Sequence, residues 1–226
     1  MRKNVRWIVG CGLLAAGLSA VSAWAEPGSP AALTTTAVME QGLIVTAEGV
    51  FPKAVTIAEN TPSSLWVVNG SGDPGTLSLQ FPAPLVLELE KNKLTALNLA
   101  ALKPGDYEIQ FKTAKSGKTM TANLRVGSAA NTATAQAVAI IAGYKQFKPE
   151  ITRFKGNQPV VVYWYTSSFI PHGDLELLGT EVKFKLKHKQ MEIVELKQGL
   201  PAGVYLLSRP GYPKQNHGIS ARVVVE

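Results

Sequence analysis

Beyond its first 25 residues the chain places its apolar residues in short runs, with no sustained stripe at the helical period of 3.6. In the C-terminal half the runs are Ala137–Ala142, Glu150–Phe154, Val160–Tyr165, Leu175–Leu178, Val182–His188, Met191–Leu196, Val204–Ser208 and Ile219–Val225. They are rich in β-branched and aromatic residues, several alternate with polar ones, and Gly, Pro, Asn or Ser separates most of them, as in strands joined by turns. The N-terminal half shows matching runs from Leu43–Ala47 to Met120–Val126. Seven or eight short strands in each half of about 95 residues predict an all-β chain of two Greek-key sandwiches or barrels.

The two halves are related. Pro52, Asn60 and Pro62 recur 97 residues later as Pro149, Asn157 and Pro159. After one inserted residue, Trp66, Leu77 and Leu79 recur 98 later as Trp164, Leu175 and Leu177, followed by Leu102, Gly105 and Tyr107 as Leu200, Gly203 and Tyr205. Matches in one order with one insertion predict a tandem repeat: residues 38–127, a small polar linker at 128–136, and residues 137–226. The shared Leu-x-x-Gly-x-Tyr suits a leucine plugging the sandwich end, a glycine turn and a tyrosine corner.

Residues 1–25 read as a secretory signal: Arg2, Lys3 and Arg6, then apolar residues from Trp7 to Val21, then Ala23-Trp24-Ala25. As a membrane span the segment is short. Ile8-Val9-Gly10-Cys11 has a lipobox form, but its apolar run before the cysteine is brief. Removing the signal leaves 20 of the 23 basic residues against 16 acidic ones, so the net charge falls from +7 to +4. The only cysteine, Cys11, leaves with it. Export to the periplasm, a mature chain with no integral membrane span and no disulfide, and a mildly basic surface with no nucleic-acid role are the expectations.

The C-terminal repeat resembles the cupredoxin family in Phe147-x-Pro149-x-Ile151, Gly156, the Val160–Tyr165 strand, Pro171-His172, Leu175-x-Leu177 and Leu200-x-x-Gly203-x-Tyr205; the N-terminal repeat shows the same frame with Phe51-Pro52. The resemblance implies tandem cupredoxin-like sandwiches and, at the family's copper site, a histidine before the fourth strand with a Cys, a His and a Met in the last loop. His172 and His217 fall near the two histidine positions; Ser208 and Ile219 fall near the sulfur positions. A blue-copper centre is therefore not expected. The N-terminal repeat has Pro74 at the place of His172 and no histidine.

Two chemistries remain open. His172 and His217, with oxygens from Asp174 or Tyr212, suit a copper-like or other divalent ion for buffering or delivery; the competing reading is a repeat that binds no metal. Lys183, Lys185, Lys187 and Lys189 form a basic stripe opposite Val182, Phe184, Leu186 and His188. With Tyr163 and Tyr165, expected on the sheet surface, the stripe suits a periplasmic protein partner, or it protects a sheet edge. His188 and Met191 are expected to pack inward. No phosphate-binding loop, nucleophile elbow or metalloprotease motif is present, and a non-enzymatic role is expected.

Overall fold

The computed structural model describes residues 38–127, 136–143, 146–167, 174–208 and 221–226. All of their regular structure is β. In the N-terminal half the strands are β1 (Met39–Val45), β2 (Val50–Phe51), β3 (Ala54–Ala58), β4 (Ser63–Asn69), β5 (Gly75–Leu79), β6 (Leu85–Leu89), β7 (Leu94–Leu99), β8 (Gly105–Thr113) and β9 (Thr119–Gly127). The C-terminal half has β10 (Gln136–Ala142), β11 (Phe147–Lys148), β12 (Ile151–Phe154), β13 (Val160–Thr166), β14 (Leu175–Leu177), β15 (Lys183–Phe184), β16 (Met191–Leu196), β17 (Gly203–Ser208) and β18 (Ala221–Val225).

The first nine strands make a four-stranded sheet, β2-β1-β4-β7, and a five-stranded sheet, β3-β9-β8-β5-β6. The second nine repeat both orders, β11-β10-β13-β16 and β12-β18-β17-β14-β15. The parallel pairs β1–β4 and β3–β9 recur as β10–β13 and β12–β18. Each pair of sheets encloses a core. Leu43, Leu65, Val67, Leu77, Ile109, Phe111 and Leu124 fill the first, and Ile140, Val162, Trp164, Leu175, Phe184, Leu207 and Val223 the second. Burial of these side chains, each favourable by about 1.5–3 kcal/mol, holds two sandwiches that no disulfide staples.

The shared frame residues do the same work in both halves. Asn60 and Asn157 take left-handed backbone angles, φ 53° and 54°. Each N–H then donates to the carbonyl of the shared leucine, Leu102 at 3.1 Å and Leu200 at 2.9 Å. Tyr107 donates its hydroxyl proton to the Lys103 carbonyl at 3.0 Å and Tyr205 to that of Pro201 at 2.9 Å, a tyrosine corner in each sandwich.

Three expectations change. First, the strand registers pair Ser63–Asn69 with β1 as Val160–Thr166 pair with β10, so Trp66 corresponds to Tyr163 and Val67 to Trp164. The inserted residue therefore lies after this strand, between Asn69 and Leu77. Because side chains alternate faces, a one-residue slip turns Trp66 outward while Trp164 is fully buried. Second, the run Val182–His188 is a strand only at Lys183–Phe184, and His188 is exposed, meeting Thr166 in an isolated bridge. Alternation holds through Leu186, which packs on the core, and then the chain turns at Lys189, φ 54°. Third, Met191 packs not inside the second sandwich but where the two sandwiches meet. Gln136, the last residue of the expected linker 128–136, opens β10; residues 128–135 and 1–37, with the signal, lie outside the described residues.

Candidate functional site

In sequence the predicted metal residues fall between β13 and β14 and between β17 and β18. His172, Tyr212 and His217 lie outside the described residues. The strands that flank them are described. β14 and β17 run antiparallel with Glu176 opposite Ser208 and Leu177 opposite Leu207, so the chain leaves the sheet after Ser208 beside the place where it enters at Asp174. Asp174 is exposed and Ser208 is buried. The base is rigidly held: Thr166 accepts a hydrogen bond from the Trp164 indole at 3.2 Å, and Ser167 donates to the Ala142 carbonyl at 3.0 Å. Among the described residues no group of three or more His, Cys, Asp or Glu side chains stands close enough to hold a metal ion.

The same end of the first sandwich is closed on itself. Asn69, fully buried, donates through Nδ2 to the carbonyls of Asp73 (2.8 Å) and Leu89 (3.2 Å). Its Oδ1 accepts from the Ser71 N–H (3.1 Å) and hydroxyl (2.7 Å). Asp73 turns its carboxylate to Lys115 at 3.2 Å. Asn69 and Ser71 thus turn their side-chain polar atoms back on the loop itself.

All four lysines of the predicted stripe are exposed, but only Lys183 lies on β15, the edge strand of the five-stranded sheet; Lys189 donates its N–H to the Thr166 carbonyl of the other sheet at 2.7 Å. Lys183 pairs with Glu176 at 3.1 Å and Lys187 with Glu192 at 2.6 Å, whereas Lys185 and Lys189 make no ion pair among the described residues. Cations on an edge strand discourage strand addition by another chain.

Tyr163 and Tyr165 are not on an open surface. The outward faces of β1 and β4 meet those of β10 and β13, so Ile44, Val68, Ala139, Ile141 and Tyr165 form a buried cluster, with Trp66 and Tyr163 packed against it. Gly42 and Ala139 meet at its centre, and a Cβ on Gly42 would collide with the Ala139 carbonyl oxygen. Corresponding residues make reciprocal contacts about this point. The Phe51 ring lies 5.2 Å from that of Tyr163, and Lys148, which occupies the place of Phe51 in the second repeat, sets its ammonium 4.3 Å from the ring centre of Trp66, the counterpart of Tyr163. The contact is a pseudo-two-fold one within a single chain.

One edge of that contact is ionic. Lys148, its side chain 9% exposed, bonds to Glu150 at 2.6 Å and stands 3.6 Å from Glu40. Glu40 in turn accepts from the Trp66 indole at 3.0 Å and the Glu150 N–H at 2.8 Å. Near the opposite edge the Tyr165 hydroxyl donates to Asn92 at 3.0 Å, and its ring covers Gly70 so closely that any side chain there would overlap it. Burial pushes the Tyr165 phenol above its ordinary value. Sequence reasoning passed over Glu40, Trp66 and Lys148 as contact residues. The available signal was that Leu43-Ile44-Val45, Leu65–Val68, Val138–Ala142 and Val160–Tyr165 are apolar on both faces, as strands covered on both sides are.

No protein-family model matches the chain, and none of the curated proteins does. Among solved structures it is similar to a multicopper oxidase, at 11% identity over 83% of this chain and 88% of that one, with a TM-score of 0.29. It is also similar to the copper nitrite reductase of Nitrosomonas europaea, at 10% identity over 84% and 94%, TM-score 0.33. For auracyanin B the identity is 15% over 38% of this chain and 86% of that one, TM-score 0.32. Likeness at these scores carries no argument about chemistry, and the architecture rests on the strand orders above. Among the described residues no helix is long and apolar enough to cross a membrane.

Proposed function

We propose that this chain is an exported, non-enzymatic protein of two cupredoxin-like domains, residues 38–127 and 137–226. In this reading the second domain takes a copper-like divalent ion on His172 and His217, for buffering or delivery to a partner, and the first domain is its structural support. The observation that supports the reading is the register of β14 against β17, which sets Glu176 opposite Ser208 and so brings the strand ends nearest in sequence to the two histidines together. Asp174, exposed at the same end, and Tyr212 are the oxygen donors available to complete a set of nitrogen and oxygen ligands. A blue-copper centre does not fit. Ser208 offers a hydroxyl where that chemistry needs a thiolate, and Cys11, the only cysteine, lies in the proposed signal.

Calorimetric titration of the purified protein with copper(II) and with zinc(II) tests this, beside a His172→Ala/His217→Ala variant. The expected result is one ion per chain, with binding weakened at least about 100-fold in the variant, since a site left with oxygen donors alone loses its preference for such ions. Absence of binding at about micromolar ion, or binding untouched by the double substitution, overturns the reading. Either result would favour the other role, a metal-free accessory domain. Its interaction surface would be the exposed lysines Lys183–Lys189, because Tyr165 is occupied by the first sandwich.

A further inference from the structure

Asn69 and Gly70 form the only Asn-Gly pair in the chain. Such a pair is chemically labile, because glycine puts no side chain in the way when its backbone nitrogen approaches the asparagine amide carbon. The nitrogen loses its proton and bonds to Cγ, ammonia leaves, and water opens the resulting succinimide to aspartate or isoaspartate. The reaction needs the Gly70 nitrogen free and the Asn69 side chain able to turn.

The fold denies both. The Gly70 N–H donates to the Val45 carbonyl at 2.7 Å. Asn69 is fully buried, with Nδ2 held by the Asp73 and Leu89 carbonyls and Oδ1 by Ser71. The strand frame does not itself demand these two residues. Thr166 and Ser167 take their places in the second sandwich and make the same backbone bonds. The Ser167 N–H donates to the Ala142 carbonyl at 2.8 Å, and the Lys189 N–H to the Thr166 carbonyl at 2.7 Å, where the first sandwich has the Asn92 N–H on the Asn69 carbonyl at 2.6 Å. Glycine at position 70 has another cause. The Tyr165 ring of the second sandwich lies on it, and a Cβ there would come within 2.5 Å of that ring. Tyr165 also donates its hydroxyl proton to Asn92 at 3.0 Å, so it clamps Gly70 and the residue whose N–H holds the Asn69 carbonyl. The contact that demands the labile pair is also the one that covers it.

We propose that Asn69 is a latent deamidation site guarded by Tyr165, and that it converts when the two sandwiches part. The parting is a local opening, short of global unfolding. Conversion is one-way for the fold. A carboxylate oxygen in place of Nδ2 has no proton to give the Asp73 and Leu89 carbonyls, and a buried charge facing two acceptors is costly. An isoaspartate also adds a methylene to the backbone at a position with fixed strand pairing. The loop end therefore does not close again in its original form. The proposal is independent of metal binding.

Peptide mapping by mass spectrometry after incubation of the purified protein at alkaline pH tests it, with circular dichroism to check that every variant keeps its β signal. The chain unfolded in guanidinium chloride is expected to convert at Asn69 at least about 100-fold faster than the native protein. Folded Tyr165→Ala should convert at least about tenfold faster than wild type. Tyr165→Phe, which keeps the ring over Gly70, should stay close to wild type. Phe184→Leu weakens the second core in the five-stranded sheet, away from the contact, and should not raise the rate. Asn69→Asp, which imitates one product, should lower the thermal midpoint by at least about 4 °C. A native wild type that converts as fast as the unfolded chain overturns the proposal. So does a Tyr165→Ala variant as slow as wild type, a Phe184→Leu variant as fast as Tyr165→Ala, or an Asn69→Asp protein as stable as wild type.

Discussion

At the third inward position of its central strand the first sandwich places Val67, and the second places Trp164. Around Trp164 the second core adds Phe147 and Phe184, whose rings lie 5.8 and 5.1 Å from the indole, where the first has Val50 and Leu87. One strand order thus accommodates an aliphatic filling and an aromatic one. What the repeat conserves is the frame: left-handed asparagines, tyrosine corners and parallel strand pairs. What it varies is the core filling, the loop end and the outer face. The comparison teaches where this chain was free to acquire a site. At the first loop end Asn69 bonds within its own loop, and the first outer face is polar apart from Val86. The second sets Asp174 and Glu176 beside Ser208 at one sheet end and leaves Val204, Leu206 and Leu178 exposed on its outer face.

The sharpest break of that comparison is in the cores. Trp164→Ala is expected to cost about 3–5 kcal/mol, because a fully buried indole leaves a cavity that Phe147 and Phe184 cannot fill. Val67→Ala, its counterpart, should cost no more than about 1.5–3 kcal/mol. Urea-unfolding midpoints measure both, and equal losses would mean that the aromatic filling gives the second sandwich nothing the aliphatic one lacks.

The contact between the sandwiches gives the next effect. Gly42→Val should cost about 1–3 kcal/mol by pushing β1 off the Ala139 backbone, whereas Ala139→Gly at the matching position should cost about 1 kcal/mol or less. A Gly42→Val protein as stable as wild type would show that the contact is loose enough to absorb a side chain.

The smallest effect is at Tyr165. Tyr165→Phe removes the bond to Asn92 and should cost about 0.5–1.5 kcal/mol. Burial favours the neutral phenol in the folded state, so its folded pKa lies above the unfolded one, near 10. The stability it contributes is whole below pH ~10 and is lost as pH rises through the raised folded value. Thermal midpoints between about pH 8 and pH 11 should therefore fall less in the Phe variant than in wild type. Parallel curves would place the phenol in water.

Much of the frame was legible because it rests on local rules. Proline, asparagine and Leu-x-x-Gly-x-Tyr act through backbone geometry within a few residues, and their recurrence showed the repeat. The tryptophan match misled because identity outweighs face in a sequence comparison. Trp66 and Trp164 differ by one position in a structure whose side chains alternate, so one points out and the other in. The exposure of the four lysines was legible, but not that their strand ends at Phe184. The tyrosines were not legible as an internal contact, since an outward aromatic looks the same whether water, a partner or another part of the chain lies above it. His172, His217 and Tyr212 lie outside the described residues, so the metal reading rests on the strand ends that flank them.

The sequence by itself determined the fold class, the duplication and the tyrosine corners, because these follow from backbone sterics and period-two burial within a few residues. The tertiary structure alone decided which outward faces are covered. Coverage is a relation between strands distant in the chain. It consumed the faces around Gly42, Trp66, Ala139 and Tyr165 and left Val204, Leu206 and Leu178 in solvent, although the runs read alike.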